Sequence, residues 1–284
     1  MIMHKKSQKA VSESVYLLRY ILSQKISIYA THTGYFVILA IFPSLVLFLS
    51  ILRFTGLQVS TLTGMLEGVL PDALMPTVER LILSTYRNST GAVVSISALT
   101  ALWSASRGIY GLLTGLNSIY GVSENRGYIY TRGISVVYTF LFLVVLLLTL
   151  ILHVFGNTIL GLLPASNLAL FSFISDIIKS RFISLFILQT AFFTTIFMVL
   201  PNNRNSFRSS LPGAVLASLG WLLFTKLYSI YVSHVTIYTT IYGSVYVVAL
   251  GMLWLYCCLF IVFSGGALNQ YLAQKNKHRE IPGV

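Results

Sequence analysis

FLFLVVLLLTLIL, Phe140 to Leu152, is a run of thirteen residues without a charge, and its reading decides the fold class. Extended to Ile134 and Phe155 it still carries no Lys, Arg, Asp or Glu. It therefore exceeds the roughly 20 residues that cross a hydrocarbon core about 30 Å thick. Five more runs flank it: Gly34 to Leu52, Gly91 to Ser106, Phe182 to Leu200, about Leu211 to Ser233, and Ser244 to Phe263. With 9% charged and 56% hydrophobic residues, and a mean hydropathy of +0.82, the composition lies outside the soluble globular range. The chain is read as an all-α integral membrane protein with six transmembrane helices. The first run starts late, is too long for a signal h-region and lacks a small-x-small cleavage site, so it is read as an uncleaved first helix.

A net charge of +12 raises nucleic acid as a partner, and the distribution of that charge argues against it. Thirteen Lys and Arg residues fall before the first span, between the second and third, between the fourth and fifth, or after the sixth; five fall on the opposite side, and Lys226 lies within a span. The positive-inside rule then places both termini in the cytoplasm and explains the basicity without RNA. The leading basic segment is expected to touch anionic lipid. Adjacent Cys257 and Cys258 lack metal or redox spacing and read as apolar filler.

Residues 1–30 read as a cytoplasmic amphipathic segment, with Val11, Val15, Leu18 and Leu22 at helical spacing. Residues 31–270 form the membrane domain, and 271–284 a cytoplasmic tail that is mobile after Ala273. Within the membrane domain, two short extracytoplasmic helices are expected at about 58–88. One has Leu62, Met65, Leu66 and Val69 on its apolar stripe and the other Val78, Leu81 and Ile82, with Pro71 and Pro76 between the stripes. Thr31 to Gly34 and Asn202 to Ser210 read as turns. Gly91-Ala92-Val93 recurs as Gly213-Ala214-Val215, Ile119-Tyr120-Gly121 as Ile241-Tyr242-Gly243, and Thr114 as Thr236, all at one offset. A 3+3 inverted repeat would produce such an echo, and so would chance in so apolar a chain.

LWSASRGIYGLLTGLNSIYG, Leu102 to Gly121, carries polar groups out of an apolar span without a helix break. Groups of this kind at membrane depth are normally paired or face a polar cavity. Ser104, Ser106, Arg107, Asn117 and Tyr120 are therefore candidates for a polar pathway. Ser104 and Ser106 also have a local option in their own helix carbonyls. Arg107 is placed near the cytoplasmic end of the helix. Its roles divide between snorkelling to phosphates and either binding an anionic group or latching that side. Asn117 shares its face. Glu124 and Arg126 are expected to pair as an interfacial lock. Lys226, followed by Tyr228, Tyr231, Tyr238 and Tyr242, marks either an outer vestibule or an interfacial aromatic belt. Asn269 completes the polar candidates. Gly108, Gly111 and Gly115 read as a small-residue packing seam, with Pro201 and Gly213 as further packing positions. Pro43 is expected to kink the first helix, and Pro212 to sit where a helix begins.

No enzymatic constellation is visible. His4, His32, His153, His234 and His278 lack metal spacing, and the seven carboxylates form no intramembrane pair. The chain is read as a non-enzyme without a cofactor. Its expected partners are membrane lipids and a lipid or amphiphilic substrate, with self-association left open.

LWSASRGIYGLLTGLNSIYG with Glu124 and Arg126, LPNNRNSFRSSLPGAVLASLGWLLF, SIYVSHVTIYTTIYGSV and LWLYCCLFIVFSGGALN together resemble the YihY/BrkB family of bacterial membrane proteins, from about Thr31 to Asn269. The resemblance implies six transmembrane helices in the bacterial cytoplasmic membrane and an envelope-related role. Some relatives are described as virulence or serum-resistance factors, and others are linked to lipopolysaccharide or lipid export. The family has also carried a ribonuclease label, which this sequence does not support. The functional expectation is a transporter or lipid-handling protein, with a non-transporting envelope scaffold as the alternative.

Overall fold

The computed structural model describes residues 19–54 except 22, 58–60, 63, 75–154 except 89, and 181–280 except 204, 235 and 236. Among these, seven long helices follow in order. They are α1 Ile26–Phe54, α2 Met75–Asn88, α3 Gly91–Tyr120, α4 Tyr128–Val154, α5 Arg181–Val199, α6 Phe207–His234 and α7 Ile237–Glu280. Five are long and apolar enough to cross a membrane: α1 over Ile26–Ser50, α3 along its whole length, α5 over Phe182–Val199, α6 over Phe207–Val232 and α7 over Val248–Asn276. The thirteen-residue apolar run lies in α4, a 27-residue helix. The chain is thus a helical, multi-pass membrane protein.

The chain divides into two compact units, Met1–Gly34 with Ile109–Val284, and Tyr35–Gly108. In the larger unit α6 packs against both α5 and α7, and α4 against α5. Leu113, Leu116, Phe197, Val262 and Phe263 are fully buried at its centre. α6 and α7 approach closely because glycines face each other. A Cβ on Gly265 would lie 2.5 Å from the Gly213 carbonyl oxygen, and one on Gly213 would collide with the carbonyl of Gly265. The smaller unit holds the rest of α1, all of α2 and the first part of α3, with Ile82, Ala101 and Leu49 buried.

Several sequence expectations shift. Thr31 to Gly34 is helical rather than a turn, so the first membrane helix begins at Ile26, just after Lys25 in the left-handed region (φ 47°). The Thr31 hydroxyl donates back to the Ser27 carbonyl at 2.8 Å, and Thr33 and Gly34 are buried against the bundle, so packing overrides weak helix propensity. α1 runs through Pro43 as one helix. Pro212 is not at a helix start, because α6 begins at Phe207 with the Ser206 hydroxyl accepting from the Ser209 N–H at 3.3 Å. Beyond Ala273 the chain is helical, as α7 continues to Glu280. Gly91 starts a helix in open space while Gly213 lies in the tightest helix crossing, and Tyr120 ends a helix while Tyr242 is inside one. The echoed residues therefore occupy unlike local structures. Val11, Val15, Leu18 and Leu22, the stripe Leu62 to Val69, and the side chain of Tyr242 lie outside the described residues.

Candidate functional site

Arg107 is the seventeenth of the 30 residues of α3, about 24 Å along the axis from Gly91 and about 20 Å from Tyr120. Its guanidinium lies 5.3 Å from the Trp103 ring centroid and 5.8 Å from that of Phe36. The two rings meet edge to face at 6.4 Å. Trp103 sits one turn before Arg107 on the same helix, and α1 supplies Phe36. Arg107 is half-buried, and its Nε is sealed from solvent without a hydrogen-bond partner. Ser104 and Ser106 are buried beside it in sequence. The Ser106 hydroxyl meets no partner, so it does not take the helix carbonyl that was its local option, whereas Thr100 on the same helix donates to Ile96 at 2.8 Å. This part of the smaller unit therefore combines a cation, aromatic faces and unpaired donors in an apolar helix. An incoming acceptor is what such a set lacks.

A second polar cluster, in the larger unit, is saturated. α3 ends in a Schellman motif. Gly121 takes φ 65°, its N–H donates to Ser118 O at 3.2 Å, and Val122 N–H donates to Asn117 O at 2.9 Å. This turn brings Glu124 back to the buried Asn117, whose Nδ2 donates to Oε2 at 2.7 Å. Arg126 donates to Glu124 from its backbone N–H (3.0 Å), Nε (2.8 Å) and Nη2 (2.6 Å), and Nη2 also reaches the Leu200 carbonyl at 3.0 Å. The Arg126 side chain, through its own hydrogen bonds, holds the Glu124 carboxyl below the usual range, with the Asn117 amide assisting. Glu124 in turn raises Arg126. From the α5–α6 loop, Asn202 gives its N–H to Asn117 Oδ1 at 2.7 Å and its Nδ2 to Ser123 O at 2.9 Å, and it also pairs with Asn125. Asn205 closes the loop on Phe197 O at 2.9 Å. The expected Glu124–Arg126 lock is present, and it ties two interhelical loops together.

Asn269 serves the backbone around Pro212. Its Oδ1 accepts from Gly213 N–H at 2.7 Å and its Nδ2 donates to Ser210 O at 3.0 Å, compensating a helix turn that the proline disturbs. The Tyr120 hydroxyl is buried within reach of Asn269 but lacks a well-formed hydrogen bond. Gly111 and Gly115 have close neighbours: a Cβ would press on Thr33 and His32 in the first case, and on Phe263 and Tyr29 in the second. Gly108 and Pro201 are buried. Lys226 and Tyr231 are exposed on the surface of α6, not turned into its unit's interior. Sequence reading missed Phe36, Asn125, Asn202, Asn205 and Gly265. The asparagines of LPNNRN signal a turn but not what the turn holds.

A family profile described as Virulence factor BrkB matches residues 17–283. The chain belongs to this family. Over 269 residues it is 31% identical to the ribonuclease-like protein YfkH of Bacillus subtilis (strain 168), covering 90% of this chain and 96% of that one. It is also 26% identical over 274 residues to a UPF0761 membrane protein of Psychromonas ingrahamii, covering 90% and 85%. A UPF0761 membrane protein of Vibrio vulnificus is 23% identical over 288 residues, covering 98% and 88%. No solved structure matches. The BrkB family relationship and the apolar helices place the chain in the bacterial cytoplasmic membrane as a multi-pass protein.

Proposed function

We propose that this BrkB-family protein moves or presents a lipid or other amphiphile at the cytoplasmic membrane, using Arg107 as the polar station within its path. The observation that carries the reading is the Arg107 side chain in the middle of a membrane helix, its Nε buried without a hydrogen-bond partner among the described residues. α3 is about 45 Å long, close to the 40–45 Å of a bilayer with its headgroup layers. Arg107, about 20 Å from the nearer end, then lies well inside, too deep for one side chain to snorkel out. An arginine at such depth costs about 2.5–3.5 kcal/mol on insertion scales, and arginines so placed generally mark a pathway. The remaining topology of the reading is six crossings, with α4 as the sixth and both termini cytoplasmic. Reporter fusions at Asn88, Asn125 and Asn276 test it: cytoplasmic signals at the last two and an outer signal at the first are expected.

The activity test uses purified protein in vesicles carrying fluorophore-labelled lipid and a membrane-impermeant quencher. Protein-dependent exchange of lipid between leaflets is expected, with at least about tenfold loss in Arg107→Ala, the scale of one lost charge-assisted interaction. Exchange equal to that of protein-free vesicles overturns the transport reading. Full exchange in a folded Arg107→Ala protein removes Arg107 from it.

A further inference from the structure

We infer that Arg107, Trp103 and Phe36 form a subsite for an oxyanion, the phosphate of an anionic headgroup, with the neighbouring Ser104 available as a further donor. This rests on the reading of the membrane helices as an amphiphile path and names the class of group that path receives. The guanidinium has two aromatic faces to stack on and donors only along its edge. Here Trp103 and Phe36 lie within cation–π range, at 5.3 and 5.8 Å, and leave the edge as the part still to be satisfied. Nε is buried without a partner among the described residues. The saturated Arg126 is the internal contrast, since its edge spends its donors on Glu124 and Leu200. Arg107 lies within α3 and Arg126 in the loop that follows it, and of the two Arg126 is the one supplied with a carboxylate.

An acceptor for Arg107 must be anionic, because a planar fork in a low-dielectric surrounding gains most from a bidentate oxyanion. It must also tolerate apolar company. Trp103 is 51% exposed, and Leu99 and Leu102 on the same helix are 69% and 45% exposed, so the surface leading to the guanidinium is hydrocarbon-like. A phosphate carrying acyl chains meets both conditions. Ser104 is buried one turn before Arg107 on the same face and is a further donor for such a group.

The test is titration calorimetry on the full chain in a neutral maltoside detergent with three probes: dihexanoyl phosphatidylglycerol, dihexanoyl phosphatidylcholine and inorganic phosphate. The wild-type protein is expected to bind the anionic lipid at least about tenfold more tightly than the zwitterionic one. Arg107→Gln erases that preference, and Arg107→Lys, a point charge without the fork, keeps part of it. Displacement of the lipid by millimolar phosphate identifies the oxyanion alone as sufficient, while failure to displace identifies the whole headgroup with its chains. Equal affinity of the wild-type protein for the two lipids overturns the subsite without recourse to any variant. So does an intact preference in an Arg107→Gln protein with the wild-type melting temperature. A protein that prefers the anionic lipid but exchanges no lipid in vesicles retires the transport reading and leaves the subsite. One that exchanges both lipids without preference does the reverse.

Discussion

The amide oxygen of Asn117 accepts the backbone N–H of Asn202 at 2.7 Å, joining the last turn of α3 to the loop between α5 and α6. The other end of the same amide donates to Glu124, so one buried side chain satisfies two loops at once. Asn117→Ala leaves the Asn202 N–H without its acceptor and removes one of the two donors to Glu124 Oε2, which keeps Arg126, for about 1–3 kcal/mol lost. Asn117→Asp is worse at neutral pH, because it sets a second carboxylate against Glu124. Thermal unfolding in detergent, followed by a dye reporting on buried cysteines such as Cys258, measures both changes. An Asn117→Ala protein that melts with the wild type would show that the two loops are held by other means.

The Glu124 carboxyl gives this junction a pH dependence of definite sign. Hydrogen bonds from Arg126 come first and outweigh the opposing effect of burial, so the folded-state value lies below the ordinary 4.5. A depressed folded value means that the stabilisation is fully present above 4.5 and is lost as pH falls through the folded value. Melting temperature should therefore be flat from neutral pH down to about 5 and fall below that. Glu124→Gln should start lower at neutral pH and lose the part of the acid-side fall that Glu124 contributes. Superimposable acid profiles for the two proteins would remove Glu124 from the account.

Gly213 and Gly265 make the opposite kind of demand, for the absence of atoms. A methyl group on Gly265 presses on the Gly213 carbonyl and, at 3.2 Å, on the Ala217 side chain, while one on Gly213 strikes the Gly265 carbonyl and the Asn269 amide. Backbone atoms offer no rotamer escape, so Gly213→Ala and Gly265→Ala should each cost about 1–3 kcal/mol. Gly251, on the same helix as Gly265, has nothing within 4 Å of its missing Cβ. Gly251→Ala should leave stability unchanged or raise it by up to about 1 kcal/mol. Equal losses at Gly251 and Gly265 would mean that helix flexibility, not close approach, explains both.

Fold class was legible because crossing a bilayer leaves a length and composition signature that no other fold imitates, and the helices fall on the apolar runs. Their ends were less legible. Thr31, Gly34 and Pro212 are local breakers, and the structure absorbs each differently: Thr31 by a bond back to the Ser27 carbonyl, Gly34 by packing against Leu255 and Leu259, and Pro212 through Asn269. The Glu124–Arg126 pair could be read from its spacing of two residues, but its link to Asn117 and Leu200 depends on how the turn at Gly121 and the loop at Asn202 converge. Arg107 stood out as a charge in an apolar context. The unbroken run of α3 to Tyr120 was legible as well, but the aromatic neighbour Phe36 was not, because it comes from a different helix.

Arg107 and Lys226 are both cations on membrane helices, and the structure separates them. Lys226 is exposed on the surface of α6, eight residues before the end of that helix at His234. About 12 Å of helix therefore remains between it and that end, and its flexible stem is free to carry the ammonium toward the polar boundary. Arg107 is half-buried beside two rings, with a longer stretch of helix on either side. Lys226→Ala should therefore change stability by no more than about 0.5 kcal/mol and leave lipid exchange near wild type. Arg107→Ala should lose exchange by about tenfold or more while the protein still inserts and folds. The two variants, compared in the same vesicles with insertion verified by protease protection, measure the difference. Equal loss of exchange in both would place Lys226 back on the path and require α6 to present that face to the substrate.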